Sequence, residues 1–212
     1  IRAVVLTGAG DKAFCAGGDV AGFGADPSNI ALLVKEMTAC FHAAISRFAW
    51  MDAPLIGMVN GVAAGAGLSL TACCDLVVAT DTATFTSAYT QIGLSPDGSS
   101  TYFLPRLIGV RRTAELYLTN RVLSAQEALD WGLVNQVVRP DALRSTVSAL
   151  VAKLVRGPAQ AHGAVKRLLL MSTDTLESQM EREARHIAEL SQAQDGLEGV
   201  RAFCERRKPV FS

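Results

Sequence analysis

Short apolar runs rich in β-branched residues recur along the first two thirds of the chain and predict buried strands. They are bounded by Gly, Pro, Asn or Asp, which is typical of strand ends. The runs are too short for buried helices, which need ten or more residues. The predicted strands are residues 3–6, 55–60, 75–79, 84–86 and 133–138.

Longer stretches repeat their apolar residues every three or four positions, the spacing of an amphipathic helix. Residues 29–50 show it most clearly, with Leu33, Met37, Phe41 and Ile45 on one face. A further predicted helix begins near residues 65–67 and continues through residues 68–73. The others are residues 99–107, 124–131, 141–155, 159–171, 174–194 and 196–206.

Local signals refine these elements and divide the chain. Ser124 and Glu127 form a capping box that opens the helix at 124–131, and Gly132 ends it. Pro105 predicts a break in the helix at 99–107. Strands and helices mix before Pro140 and only helices follow it, so we predict an α/β core of residues 1–139 and a helical region of residues 140–212.

Composition narrows the class of protein. Half of the 212 residues are hydrophobic and 19% are charged, which favours a large buried core over disorder. The 20 basic and 20 acidic residues give no net charge, which argues against nucleic acid or an anionic membrane as a partner. Five cysteines without a CxxC pair, and three scattered histidines, indicate thiols in a reducing compartment and no metal site. The expected location is cytoplasmic.

The first predicted strand begins almost at once, at residues 3–6, and the chain starts at Ile1 without an initiator Met. A buried strand needs neighbours on either side. We therefore expect that an N-terminal piece of the protein precedes Ile1.

Two turns rich in Gly and Ala follow predicted strands, AFCAGGDV at 13–20 and NGVAAGAG at 60–67. Small residues let a ligand approach the backbone closely, and the first N–H groups of a helix point outward with positive partial charge. Two such N–H groups converging on one oxygen would form an oxyanion hole. Either turn alone is more simply explained as an ordinary tight turn.

Together the two turns resemble the signatures of the crotonase (enoyl-CoA hydratase/isomerase) family, in order and spacing. Further matching stretches follow them in the family's order. They are Cys74-Asp75-Leu76, IGLSPDGSSTYFLPRLIG at 92–109, LTNRVLSAQEALDWGLVNQVV at 118–138 and FCERRKPVF at 203–211. The resemblance covers nearly the whole chain.

The resemblance implies an α/β fold, a crotonase-like spiral of ββα units with a helical C-terminal region through which the chains trimerise. Homotrimers or hexamers are the implied assemblies, and an acyl-CoA thioester is the implied partner. No separate cofactor is expected, because coenzyme A is part of the substrate. Members of the family carry roughly one more strand–helix unit before the position of Ile1.

The resemblance also assigns roles to residues. The oxyanion amides would be those of Gly18 and Ala66, where the family usually has Gly at the second position. The acyl-CoA channel would be lined by Ala16, Gly17, Gly18, Asp19 and Val20, with Ala66, Gly67 and Tyr89 beside it. Phe203 and Arg206 match positions that reach toward coenzyme A in relatives, although a solvated basic helix end explains them equally well.

The reaction depends on carboxylates. The family's hydratases use two glutamates to activate water, and those positions are Ser69 and Tyr89 here, so hydration is not expected. Asp97 instead matches the single catalytic acid of one branch of enoyl-CoA isomerases. One carboxylate suffices to move a proton from the α-carbon to a position two carbons along. The alternative explanation of Asp97 is a helix N-cap, since it follows Pro96 and opens a predicted helix.

Two other functions stay open. In hydrolytic 4-chlorobenzoyl-CoA dehalogenases the matching aspartate is a nucleophile, and His42 matches the histidine that activates water there. Those enzymes place a tryptophan opposite the aspartate, where this chain has Tyr89. A non-catalytic binding or scaffold role is the third possibility, because both hydratase glutamates are absent.

Overall fold

The computed structural model describes residues 1–25 and 27–212. The strands are β1 (Val4–Thr7), β2 (Ala13–Cys15), β3 (Leu55–Val59), β4 (Val62–Ala64), β5 (Leu76–Thr80), β6 (Thr84–Thr86), β7 (Leu123–Ser124) and β8 (Gln136–Val138). The helices are α1 (Val20–Ala25), α2 (Ile30–Trp50), α3 (Ala66–Cys73), α4 (Ser100–Ile108), α5 (Val110–Thr119), α6 (Ala125–Trp131), α7 (Pro140–Val155), α8 (Ala159–Leu170), α9 (Leu176–Gln192) and α10 (Gln194–Cys204).

One sheet has the strand order β1-β3-β5-β8, in which β3 pairs with β5 and β5 with β8 in parallel. Every residue of β3 is buried, and so are four of the five residues of β5. A strand covered on both faces has no polar side to present, which is why these runs are apolar throughout. This sheet forms the centre of the α/β core.

A second sheet has the order β2-β4-β6-β7 and carries the glycine-rich turns. Strand β4 pairs in parallel with β2 and with β6, whereas β7 runs antiparallel to β6. Strands that run in parallel end at the same edge of a sheet. The turns that follow β2, β4 and β6 therefore emerge side by side.

The predicted α/β class is confirmed, and two local predictions within it are wrong. Pro105 does not break α4, because the missing N–H affects one turn and the helix continues to Gly109, whose N–H donates to the Pro105 carbonyl at 3.1 Å. Strand β8 begins at Gln136 because Leu133 and Val134 still donate to the Ala128 carbonyl, at 2.9 and 3.3 Å. Strands β2, β4 and β7 and helices α1 and α5 were not predicted. The strands have only two or three residues, too few to show a period.

The chain forms two compact units. One contains residues 5–48 and 55–147, with most of both sheets. The other contains residues 1–4, 49–54 and 148–212, where α8, α9 and α10 pack in sequence. Pro140 is the first residue of α7, and the units divide within that helix. The division into residues 1–139 and 140–212 stays a prediction.

The lengths of the helices and the burial of the cysteines were also predicted from sequence. None of the helices formed by residues 1–25 and 27–212 is long and apolar enough to cross a membrane. Cys73 and Cys74 are buried, as expected for structural thiols, whereas Cys40 and Cys204 are exposed.

The capping box of α6 gives a prediction for stability. Ser124 Oγ accepts the Glu127 N–H, and Glu127 accepts from the Ser124 N–H at 2.9 Å. We expect Ser124→Ala to cost about 1 kcal/mol of unfolding free energy, measured by urea denaturation. Ser145→Ala is the matched control, because Ser145 is exposed within α7 and its hydroxyl donates to the Ala142 carbonyl at 2.9 Å, a bond that caps no helix end. Equal losses in both variants would contradict a specific role for the cap.

Candidate active site

The candidate site is built on three turns at one edge of the second sheet. Strands β2, β4 and β6 end at Cys15, Ala64 and Thr86. The residues just beyond them are the Gly17-Gly18 turn, the Gly65-Ala66 turn and the segment that leads to Tyr89. The carboxyl edge of parallel strands is where ligands bind in open α/β sheets. The parallel pairing of three short strands thus brings together residues far apart in sequence.

The two glycine-rich turns lie against each other. Gly17 has φ of +104°, and a Cβ there would lie 3.2 Å from the Ala64 carbonyl oxygen and 3.9 Å from the Ala66 nitrogen. Gly65 has φ of +54°, and its Cβ would lie 3.7 Å from Gly17 Cα and 3.9 Å from Tyr89 Cζ. Both positions need the left-handed backbone that Gly adopts without strain.

The two proposed oxyanion amides are available in this arrangement. Ala66 is the first residue of α3, so its N–H lacks the acceptor that later helical residues have. Within residues 1–25 and 27–212, neither the Gly18 N–H nor the Ala66 N–H donates a hydrogen bond. The backbone at Ala66 is helical, and Ala in place of the family's Gly is therefore accommodated.

The other predicted channel residues fall into two groups. Ala16, Asp19 and Val20 are exposed on the turn between β2 and α1, where the Asp19 carboxylate accepts the Gly22 N–H at 3.1 Å. Asp19 thus caps α1. Gly67 is buried in α3 against the backbone of Cys15.

Phe203 and Arg206 belong to the other compact unit. Phe203 lies near the end of α10 and is 85% exposed, and Arg206 follows with φ of +55°. Their proposed reach toward coenzyme A stays a prediction.

Asp97 lies between a phenol and an imidazole. Its Oδ1 accepts the Tyr89 hydroxyl proton at 2.6 Å, and its Oδ2 lies 3.3 Å from His42 Nε2. The Asp97 side chain is 26% exposed and that of His42 is 51% exposed. The structure therefore brings His42 and Tyr89 together with Asp97, and Tyr89 connects this group to the Gly65 turn.

The interpretation of Asp97 as a helix N-cap is wrong. The N-cap of α4 is Ser99, with φ of +60°, and the carboxylate of Asp97 points to other side chains. The Asp97 backbone carbonyl is fixed separately by the hydroxyls of Ser69 at 3.0 Å and Ser100 at 2.8 Å. Ser69, at a hydratase glutamate position, is fully buried and serves to hold the Asp97 loop.

Gly98 completes the loop around the carboxylate. Its N–H donates to His42 Nε2 at 3.1 Å, and its φ is +63°. A Cβ at this position would overlap the ring of Phe41 and lie 2.9 Å from Ser69 Cβ. The loop can pass this close to α2 and α3 only with Gly next to Asp97.

Tyr89 acts as a hydrogen-bond donor in this site. Burial raises the pKa of its phenol well above the usual value, and the hydrogen bond to the Asp97 carboxylate raises it further. Tyr89 therefore keeps its proton at physiological pH. It cannot take the place of a glutamate as a general base.

Sequence reasoning missed Tyr117 and Ser100. Tyr117 is 8% exposed, and burial raises the pKa of its phenol, while the nearby Ser100 hydroxyl lowers it and the Asp97 charge raises it. Tyr117 lies on α5, where an aromatic residue at helical spacing is indistinguishable from ordinary core. For Ser100 the available signal was its position in the SPDGSS sequence, three residues after the candidate catalytic acid Asp97.

Comparisons with known proteins agree with this architecture. The sequence profile of the enoyl-CoA hydratase/isomerase family matches residues 1–212. The chain is 39% identical to 4-chlorobenzoyl coenzyme A dehalogenase-1 of Arthrobacter sp over 189 residues, 88% of this chain and 68% of the relative. It is 36% identical to the 1,2-epoxyphenylacetyl-CoA isomerase of Escherichia coli K12 over 214 residues, 100% of this chain and 81% of the relative.

A solved structure of an enoyl-CoA hydratase from Polaromonas sp. JS666 superposes with a TM-score of 0.94 at 33% identity, over 100% of this chain and 82% of that one. The chain therefore belongs to the enoyl-CoA hydratase/isomerase family. The crotonase resemblance and its fold are confirmed. The relatives' names cover a dehalogenase, an isomerase and a hydratase, so membership alone leaves the reaction open.

Proposed function

We propose that the protein binds an enoyl-CoA thioester and shifts its double bond through an enolate. The observation that carries this proposal is the placement of Asp97. Its carboxylate is anchored by Tyr89 beside the two glycine-rich turns, and the hydratase glutamate positions hold Ser69 and Tyr89.

The proposed reaction uses three groups of this chain. The amides of Gly18 and Ala66 hold the thioester oxygen as negative charge develops on it. Asp97 removes the proton on the carbon next to the thioester and returns one two carbons along. Each oxyanion donor typically contributes a factor of about 10²–10³ in rate, and a placed general base about 10²–10⁴.

The proposed substrate is an acyl-CoA, and coenzyme A enters as part of it, so no further cofactor is needed. We also propose that the chain assembles as a homotrimer or hexamer through its helical C-terminal region. The exposed apolar side chains of α9 and α10 support an interface there, with Leu176, Ile187, Val200 and Phe203 among them.

The test is a direct assay with 3-enoyl-CoA esters, in which formation of the conjugated 2-enoyl-CoA is followed by its absorbance. We expect turnover without net addition of water. Formation of 3-hydroxyacyl-CoA instead would contradict the proposal. An absence of both turnover and acyl-CoA binding by calorimetry would favour a scaffold role.

A second candidate is a hydrolytic aryl-CoA dehalogenase, favoured by one observation. His42 Nε2 lies 3.3 Å from Asp97 Oδ2, close enough to serve water attack on an ester formed at that carboxylate. The similarity to 4-chlorobenzoyl coenzyme A dehalogenase-1 agrees with it. Release of halide from a 4-halobenzoyl-CoA, without solvent exchange at the α-carbon of enoyl-CoA esters, would favour this candidate.

A further inference from the structure

His42 occupies a position that a simple double-bond shift does not use. Its Nε2 is 3.3 Å from Asp97 Oδ2, the oxygen not bonded to Tyr89. About half of the His42 side chain is exposed. A group in contact with both the reacting carboxylate and water can connect the two.

The Gly98 amide indicates which nitrogen of the neutral His42 imidazole is the hydrogen-bond acceptor. The Gly98 N–H donates to His42 Nε2 at 3.1 Å, so Nε2 presents a lone pair. The proton of the neutral imidazole is therefore on Nδ1. In this tautomer Nε2 cannot donate to the Asp97 carboxylate, but it can accept a proton once Asp97 becomes a carboxylic acid.

Tyr89 determines which oxygen of Asp97 carries that proton. The phenol donates to Oδ1 at 2.6 Å and keeps its own proton, because burial and the hydrogen bond to Asp97 raise its pKa. Oδ2 is the oxygen left to take the proton from the substrate. The same oxygen faces His42, so the abstracted proton arrives next to an acceptor lone pair.

We propose that His42 is a proton relay. It exchanges the proton held by Asp97 with solvent while the enolate intermediate remains bound to the enzyme. This inference rests on the proposed function. In the forward half, the O–H bond at Oδ2 breaks and Nε2 gains the proton, which makes His42 an imidazolium. The half-exposed imidazolium releases that proton from Nε2 to water and takes a proton back from water on the same nitrogen. Nε2 then returns this proton to Oδ2, so Asp97 holds a proton of solvent origin to deliver to the carbon chain.

Exchange through the relay competes with direct return of the original proton from Asp97 to the substrate. The measurable quantity is the fraction of product that carries a solvent proton instead of the original one. Turnover in D2O would place solvent deuterium in the product whenever the relay acts before protonation. Transfer to Nε2 breaks a single hydrogen bond, the one from the Gly98 N–H. Exchange of the proton with solvent can therefore compete with the chemical step.

The test compares wild-type protein with His42→Gln in D2O, with deuterium in the 2-enoyl-CoA product measured by mass spectrometry. Gln keeps an acceptor for the Gly98 N–H but takes no proton. We expect deuterium incorporation per turnover to fall roughly tenfold or more, with a smaller change in kcat. His186→Gln is the matched control, since His186 lies on α9 and pairs with Glu189.

His42→Ala allows a second measurement, rescue by added imidazole, which would show no effect if His42 had a purely structural role. Imidazole added to the buffer should restore deuterium incorporation to this variant in proportion to its concentration. Unchanged incorporation in both variants would overturn the relay, as would a wild-type product that carries no solvent deuterium.

The same ester separates failure of the relay from failure of the proposed function. Deuterium entry at C2 of recovered 3-enoyl-CoA needs deprotonation by Asp97 and exchange of that proton with solvent, but no movement of the double bond. If C2 exchange depends on His42 while no double bond moves, the relay stands and the isomerase proposal fails. If isomerisation proceeds and C2 exchange is the same in wild type and in the His42 variants, the isomerase proposal stands and the relay fails. If wild type shows neither reaction, both fail.

Discussion

Replacing Asp97 with Asn is expected to lower the turnover of 3-enoyl-CoA by roughly 10²–10⁴-fold while binding of the thioester persists. The amide has the shape of the carboxylate, and its oxygen can still accept from Tyr89. The backbone carbonyl of residue 97 keeps its bonds from Ser69 and Ser100. The variant loses only the oxygen that removes a proton. Steady-state kinetics and calorimetry with a non-reactive acyl-CoA analogue measure the two effects separately.

Asp130→Asn is the matched control for Asp97→Asn. Asp130 is exposed on α6, where it accepts a hydrogen bond from Gln126 at 2.9 Å. We expect turnover within about twofold of wild type, because surface substitutions of this kind change little. Wild-type turnover in Asp97→Asn would remove Asp97 from the reaction, whatever its contacts with Tyr89 and His42.

The part of the fold that sequence predicted best is the part set by local contacts. The capping box between Ser124 and Glu127 and the end of α6 at Gly132 were placed correctly because both signals act within four residues. The 21-residue helix α2 was found because a long helix repeats its period several times. Strands β2 and β4 were missed because each has only one β-branched or aromatic residue among three, whereas all three residues of β6 are of these types. Pairing between distant segments creates β2 and β4.

The features of the candidate site also divide into those that local sequence reveals and those that depend on contacts between distant segments. The two glycine-rich turns were visible in sequence, since closely approached backbone requires small residues. The contacts of Asp97 were not, because Tyr89 and His42 lie 8 and 55 residues away along the chain. The N-cap interpretation failed for a related reason. The left-handed backbone of Gly98 and Ser99 moves the start of α4 past Asp97, and sequence alone does not reveal those two dihedral angles.

The second large effect is expected for Gly67→Ala, which tests how the two glycine-rich turns are held together. Gly67 is buried in α3, and a Cβ there would overlap the Cys15 carbonyl oxygen and lie 2.9 Å from the carbonyl carbon. Backbone atoms of β2 cannot rotate away as a flexible side chain would. Overpacking of this kind typically costs about 1–3 kcal/mol. For a chain of this size, each kcal/mol lowers Tm by roughly 2–4 °C.

The same substitution should also reduce turnover, because relief of the overlap moves α3 away from β2. The Ala66 amide would then shift relative to the turn that carries Gly18, and loss of one oxyanion donor costs about 10²–10³ in rate. Gly24→Ala is the control, since a Cβ there meets no atom of the described residues within 4 Å. Thermal denaturation and steady-state kinetics of the two variants decide the matter. A Gly67→Ala protein with wild-type Tm and turnover would mean that close packing of α3 on β2 does not set the position of the amides.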